Sequence, residues 1–215
     1  MATYREIADG ILAGRAKVVK QLVTDALNEG MDAEEILNQG LIVGMNEVGV
    51  LFKNNEIYVP EVLVAARAMY GALDILKPIL AKKDVKSAGV VAVGTVQGDL
   101  HDIGKNLVAM MLEGNGFTVV DLGVDVSPEQ YVDAVVNKGV QIVAMSALLT
   151  TTMPMMKETV DALVANGLRD KVKIMIGGAP VTQSFCDEIG ADGYSSDAAS
   201  AAELAKRLIA ELEGK

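Results

Sequence analysis

Along the first 80 residues, apolar positions recur at helical spacing. Arg15 to Asn28 reads as an amphipathic helix stopped by Gly30, and Asp32 stands where a cap belongs ahead of Ala33-Glu34-Glu35-Ile36-Leu37. Pro60 takes the first-turn place ahead of Glu61-Val62-Leu63-Val64-Ala65-Ala66. With a further helix from Tyr4 to Leu12, residues 1–80 predict a small helical bundle. Ala81-Lys82-Lys83-Asp84-Val85-Lys86-Ser87 breaks the pattern with charge and polarity and predicts a linker over 81–87.

From residue 88 to 215 the period changes. Short apolar runs occupy Gly89 to Gly94, Thr118 to Leu122, Gln141 to Met145 and Val172 to Ile176, with a weaker fifth at Asp192 to Tyr194, and an amphipathic segment fills each gap. Such alternation predicts an α/β domain, a parallel sheet covered by helices on both faces. Five strands in about 125 residues suit the doubly wound, flavodoxin-like order 2-1-3-4-5, whose chain reversal opens a crevice between strands one and three. Right-handed crossovers then gather the strand-to-helix loops on one edge: Thr95 to Gly104, Ser146 to Thr152, Gly177-Gly178-Ala179-Pro180 and Tyr194-Ser195-Ser196-Asp197.

Composition narrows what that edge does. Hydrophobic residues make up 51% of the 215, enough for a core, and the single cysteine, Cys186, excludes an internal disulfide framework. The start Met1-Ala2-Thr3-Tyr4-Arg5-Glu6 lacks the basic-then-apolar pattern of a signal peptide, which predicts a cytoplasmic chain, and no long run is free enough of charge to predict a membrane span. A net charge of −10 argues against a nucleic-acid surface. The 11 Met, scattered along predicted helices, read as adaptable core filler.

The only histidine, His101, lies in Gly98-Asp99-Leu100-His101-Asp102-Ile103-Gly104, the loop expected to flank the crevice. A phospho-receiver would need an Asp after strand three and a Lys after strand five, where this chain has Ser146 and Tyr194-Ser195. A flavodoxin would want rings beside the crevice, and of five Tyr and three Phe only Tyr194 is well placed. A dinucleotide fold would show a compact glycine fingerprint where Gly94-Thr95-Val96-Gln97-Gly98 runs into an acid and a histidine. A hydrolytic metal site on Asp99, His101 and Asp102 is a thin ligand set without a second His.

Asp99-x-His101-x-x-Gly104, followed by Ser146-x-Leu148 and then Gly177-Gly178, each after the appropriate strand, resembles the cobalamin-binding signature of corrinoid proteins. Val50-Leu51-Phe52 and Ile57-Tyr58-Val59-Pro60-Glu61-Val62 resemble the helical cap that precedes this module, as in methionine synthase and the stand-alone corrinoid proteins of anaerobic methanol, methylamine and O-demethylase systems. The resemblance implies a cobalamin cofactor with His101 as the lower axial cobalt ligand, in place of the cofactor's own base. Asp99 would orient the ring and Ser146 extend that relay. Further cofactor contacts are implied for Gly98, Asp102, Ile103, Leu148 and Thr150, with the nucleotide tail lined by Gly104, Gly177, Gly178 and Tyr194.

Phe52, Val59 and Val62 would cover the upper, methyl-bearing face, although the same residues also suit a plain helix-bundle core, and residues 81–87 would be the hinge that moves the cap aside. The function implied is a methyl carrier between a donor-side and an acceptor-side methyltransferase, maintained by a reductive activator and without turnover alone. The small cobalamin-binding subunit of a mutase and a cobalamin sensor are the alternatives. The mutase subunit lacks a helical cap, and a sensor would carry a basic DNA-binding element that is not apparent here.

Overall fold

Thr3 and Glu6 close a capping box at the start of α1 (Tyr4–Leu12). The computed structural model describes residues 3–82 and 87–214, in two units divided between Lys86 and Ser87. In the first unit α1 is followed by α2 (Ala16–Asn28), α3 (Ala33–Glu35), a π-helical turn (Ile36–Leu41), α4 (Ile42–Lys53) and α5 (Val59–Lys82). The Asp32 carboxylate accepts the Glu34 and Glu35 amides at 2.8 and 3.4 Å, so the predicted cap is made. α1 lies against α4 and α2 along α5. The close approach of α1 and α4 depends on Gly44, where a Cβ would stand 2.8 Å from the Ala8 carbonyl oxygen. Ile7, Ile11, Val19, Val23, Ile36, Met45, Val62, Met69 and Leu76 are all buried. Burial of such side chains stabilises by roughly 1.5–3 kcal/mol each.

α5 continues past Pro78 to Lys82, so the first two residues of the segment expected as a linker are helical. Residues 83–86 lie outside the described residues. Ser87 belongs to the second unit: its hydroxyl donates to the Gly89 carbonyl at 2.9 Å and accepts the Thr118 amide at 2.9 Å.

The second unit is the doubly wound sheet that the sequence predicts. Strands β1 (Val90–Val96), β2 (Thr118–Val126), β3 (Ile142–Ser146), β4 (Lys173–Gly177) and β5 (Gly193–Ser195) are all parallel, in the order β2-β1-β3-β4-β5. α6 (Ile103–Gly114) and α10 (Ala198–Leu212) pack together on one face; α7 (Pro128–Lys138), α8 (Pro154–Ala165) and α9 (Gln183–Ile189) form the layer on the other. The second layer closes on Ala92, Val96, Val143, Met145, Ile174 and Ile176 of the sheet with Tyr131, Met156, Leu163 and Ile189 of the helices. β1 leads to β2 on one side and borders β3 on the other, so the loops after β1 and β3 flank the switch point. No described helix is long and apolar enough to cross a membrane.

Candidate functional site

The loop after β1 begins with a turn. The Asp99 amide donates to the Val96 carbonyl at 3.1 Å, and Gly98 at the third position has φ 81°, the left-handed value that glycine reaches without strain. This turn places Asp99 inward, with its side chain 0% exposed, while the His101 side chain stays 52% exposed. Asp99 Oδ1 meets His101 Nδ1 at 2.6 Å and accepts the His101 backbone amide at 3.1 Å. With the carboxylate ionised, Nδ1 carries the proton and Nε2 keeps the lone pair a metal would take. The Thr95 hydroxyl, buried at the end of β1, donates to the His101 carbonyl at 2.8 Å and fixes the backbone on the other side.

The second carboxylate oxygen ties this loop to the one after β3. Asp99 Oδ2 accepts the Leu148 amide at 2.8 Å, the Leu149 amide at 3.2 Å and the Thr152 hydroxyl at 2.9 Å. The hydroxyl that meets Asp99 is therefore that of Thr152, where Ser146 was expected. Ser146 is the last residue of β3 and is not among the partners of Asp99; Thr152, six residues on, is buried beside it. The Thr152 hydroxyl has one proton and a second acceptor in reach, the Leu149 carbonyl at 2.9 Å, so it can shift its donation between them. Burial pushes the Asp99 carboxyl up, but the hydrogen bonds from His101, the Leu148 amide and Thr152 outweigh it and hold the group well below the usual carboxylate range.

Strand register brings a row of small and polar residues beside this pair. Thr95 of β1 stands opposite Ser146 of β3, Ser146 opposite Gly177 of β4, and Gly177 opposite Ser195 of β5, so all four share one face at the carboxyl edge. It is the face of α10, because a Cβ on Gly193, two residues before Ser195, would run into Leu204. Tyr194, expected to line the nucleotide tail, is paired with Ile176 and packs into the opposite layer, and it is its neighbour Ser195 that stands in this row. Gly104 borders open space, with nothing within 4 Å of an added Cβ. Gly177 is tighter, its Cβ position 3.1 Å from the Ser195 carbonyl oxygen. Gly178 is required by the fold itself: at φ 126° its Cβ would lie 1.9 Å from the Ala147 carbonyl oxygen.

The other expected contacts are dispersed around the two loops. Gly98 is exposed; Asp102 precedes α6 and accepts from the Asn106 side-chain amide at 3.3 Å. Leu148 and Thr150 are exposed on the loop after β3. Leu100 and Ile103, 72% and 75% exposed, stand either side of His101 in the chain and give the loop an apolar surface. In the helical unit Phe52 and Val59 are half-buried and Val62 is buried. Sequence reading missed Thr95, Thr152 and Ser195. Thr152 lay hidden in the run Thr150-Thr151-Thr152, where polarity alone does not say which hydroxyl turns inward.

These features fit a bulky cofactor held at one nitrogen. A half-exposed imidazole is oriented by a buried carboxylate, exposed apolar residues precede and follow it in the chain, and an uncrowded glycine and a row of small and polar residues lie at the same sheet edge. That defines a ligand-binding α/β unit at a sheet switch point, able to ligate a metal from one side. The chain belongs to the B12 binding domain family, which it matches over residues 89–203, and a second B12 binding domain family matches the helical residues 3–77.

Its relatives match along nearly the whole length. It is 41% identical over 207 residues to dimethylamine corrinoid protein 1 of Methanosarcina acetivorans, covering 96% of this chain and 97% of that one. A cobalamin-binding protein of Desulfitobacterium hafniense superposes with TM-score 0.82 at 34% identity, over 97% of this chain and 99% of that one. A chain of the methanol:cobalamin methyltransferase complex of Methanosarcina barkeri gives TM-score 0.83 at 35% identity, over 95% of this chain and 78% of that one.

Proposed function

We propose that this protein is a corrinoid methyl carrier that binds cobalamin through His101 and presents it to partner methyltransferases. The observation that carries the reading is the Asp99–His101 pair, with Nδ1 committed to the carboxylate at 2.6 Å and Nε2 left as the donor. Cobalamin, when bound, supplies a cobalt centre that accepts and gives up the methyl group. His101 would hold that centre from below. Asp99 fixes the tautomer and ring direction, and its own charge is kept by the Leu148 and Leu149 amides and the Thr152 hydroxyl. The Thr152 hydroxyl also has the Leu149 carbonyl in reach, at 2.9 Å. The row Thr95–Ser146–Gly177–Ser195, together with Gly104, offers the space for the cofactor's tail.

The helical unit would supply the cap, with Phe52, Val59 and Val62 as the residues for the methyl-bearing face. Partners are a donor-side methyltransferase, an acceptor-side methyltransferase and a reductive activator, in the cytoplasm. The similarity to corrinoid proteins through the helical unit as well as the sheet supports this over a mutase subunit or a sensor. A hydrolytic metal site is not favoured, since no group of three or more His, Cys, Asp or Glu side chains is placed to hold an ion among the described residues.

The test is electron paramagnetic resonance of the protein loaded with cob(II)alamin. Hyperfine splitting from one axial nitrogen should be present in the wild type, with the nitrogen label following histidine in 15N-histidine protein, and absent in His101→Ala. Unchanged splitting in His101→Ala would remove the ligand assignment.

A further inference from the structure

The irregular end of β2 grips the loop that carries His101. Pairing with β1 shifts between Val93 and Gly94 and again between Gly94 and Val96. Beyond the first shift, β2 passes through positive φ at Gly123, 83°, and at Asp125, 55°. A positive φ is uncommon for a residue with a Cβ and is tolerated best by Asn and Asp. The bulge turns Asp125 towards the ligand loop. Its Oδ1 accepts the Gly98 amide at 2.7 Å, and its own amide donates to the Asp99 carbonyl at 3.0 Å. The two bonds bracket the Gly98–Asp99 pair at the point where the chain delivers the carboxylate that orients His101.

The same strand end also holds the loop's exit. Lys105, with its side chain only 2% exposed, reaches from α6 to Asp121, its Nζ 2.6 and 2.7 Å from the two carboxylate oxygens. Asp121 Oδ1 also accepts the Gly123 amide at 2.8 Å, which braces the bulge. Residues 98–105 are thus fastened at entry and exit by two carboxylates that take no part in the Asp99 relay. Burying a lysine ammonium is unfavourable without such a partner, so the exit anchor is fixed by Lys105 itself. The entry anchor is exposed and rests on one side chain, Asp125.

We propose that Asp125 is a positioning residue that sets how far His101 reaches towards the cobalt; this rests on the reading of His101 as the lower ligand. A metal–nitrogen bond tolerates displacement of only a few tenths of an ångström. Asp99 is also held by the loop after β3 and His101 by the Thr95 hydroxyl, so losing the Asp125 carboxylate leaves the ring's direction in place and relaxes the turn at Gly98, which shifts the height at which the loop presents the ring.

Two substitutions separate grip from backbone tolerance. Asp125→Gly keeps the freedom to hold φ 55° and drops the acceptor; Asp125→Asn keeps both, with its amide oxygen facing Gly98. Loaded with cob(II)alamin, wild type and Asp125→Asn should show the axial-nitrogen splitting. Asp125→Gly should lose it in a large fraction of the protein and bind cobalamin roughly tenfold more weakly. In the apoproteins, amide hydrogen exchange across Gly98 to His101 should accelerate in Asp125→Gly and not in Asp125→Asn. Full splitting and unchanged exchange in Asp125→Gly would overturn the clamp, as would loss of splitting in Asp125→Asn, which keeps the grip. A wild type without splitting would instead remove the His101 reading, and the clamp with it.

Discussion

Five donor contacts converge on one carboxylate, and their number decides its charge. Asp99 is fully buried, an environment that by itself favours the neutral acid, yet both of its oxygens are spoken for: His101 on one, Leu148, Leu149 and Thr152 on the other. The folded carboxyl titrates below its unfolded value, so the unfolded chain binds more protons in acid. The stability from Asp99 is therefore complete above the unfolded value, near 4, and is lost as pH falls through the lower folded one. Thr152→Val removes one donor while keeping the shape. It should cost about 1–3 kcal/mol at pH 7, and the gap to wild type should stay constant through the unfolded value near 4 and narrow only in stronger acid, where the folded carboxyl itself takes up a proton. Urea midpoints of the two apoproteins from pH 7 down to about pH 2 measure this; a gap that stays independent of pH into the range where the folded carboxyl titrates would show that Thr152 acts through packing and not through the carboxylate. The sequence made Asp99 and His101 legible because each has a distinctive type in a distinctive loop. It did not identify Thr152, because choosing the buried hydroxyl among three consecutive threonines requires the turn that closes from Thr152 to Leu149.

At the scale of elements, the apolar runs located all five strands, and the misses lie at their ends. β2 was expected to stop at Leu122, where hydrophobicity ends; it runs to Val126 because Gly123 and Asp125 carry a bulge, held by backbone and carboxylate hydrogen bonds that leave no apolar signature. Tyr194 and Ser195 show the sensitivity of strands to a single residue, since neighbours face opposite layers and only Ser195 joins the row of Thr95, Ser146 and Gly177. The glycines, which sequence reading treated alike as space for a ligand, divide by element. Gly104, in the first turn of α6, has open space around an added Cβ, whereas Gly178, just after β4, has the Ala147 carbonyl oxygen 1.9 Å away. Gly104→Ala should stabilise the apoprotein by up to about 1 kcal/mol through helix propensity and at the same time weaken cobalamin binding. Gly178→Ala should lower the apoprotein melting temperature before any ligand is added. Thermal scans with cobalamin titrations compare the two, and a Gly104→Ala protein that binds as tightly as wild type would mean that the open space beside α6 is not used by the cofactor.

Over the whole molecule, the division into two units was legible in the change of hydrophobic period, which is independent of any resemblance. The boundary was not, because charge and polarity at residues 81–87 mark a break in burial and not the end of a helix, and α5 carries Ala81 and Lys82 while Ser87 bonds into the sheet unit. The sheet unit buries apolar side chains on both faces, and among the described residues the hydrogen-bonding partners of Asp99 and Asp125 lie in that unit. Residues 87–215 expressed alone should therefore fold cooperatively and bind cobalamin with the axial-nitrogen signature intact. What that fragment lacks is Phe52, Val59 and Val62. In the full chain a cap over the upper face would hold a methyl radical near the metal after light breaks the carbon–cobalt bond, so that most pairs recombine. The fragment loaded with methylcobalamin should lose its methyl group to light several times faster than the full chain at equal occupancy, followed by absorbance under constant illumination. Equal photolysis rates would show that the helical unit does not cover the methyl-bearing face, and its apolar residues would then serve the bundle's own core.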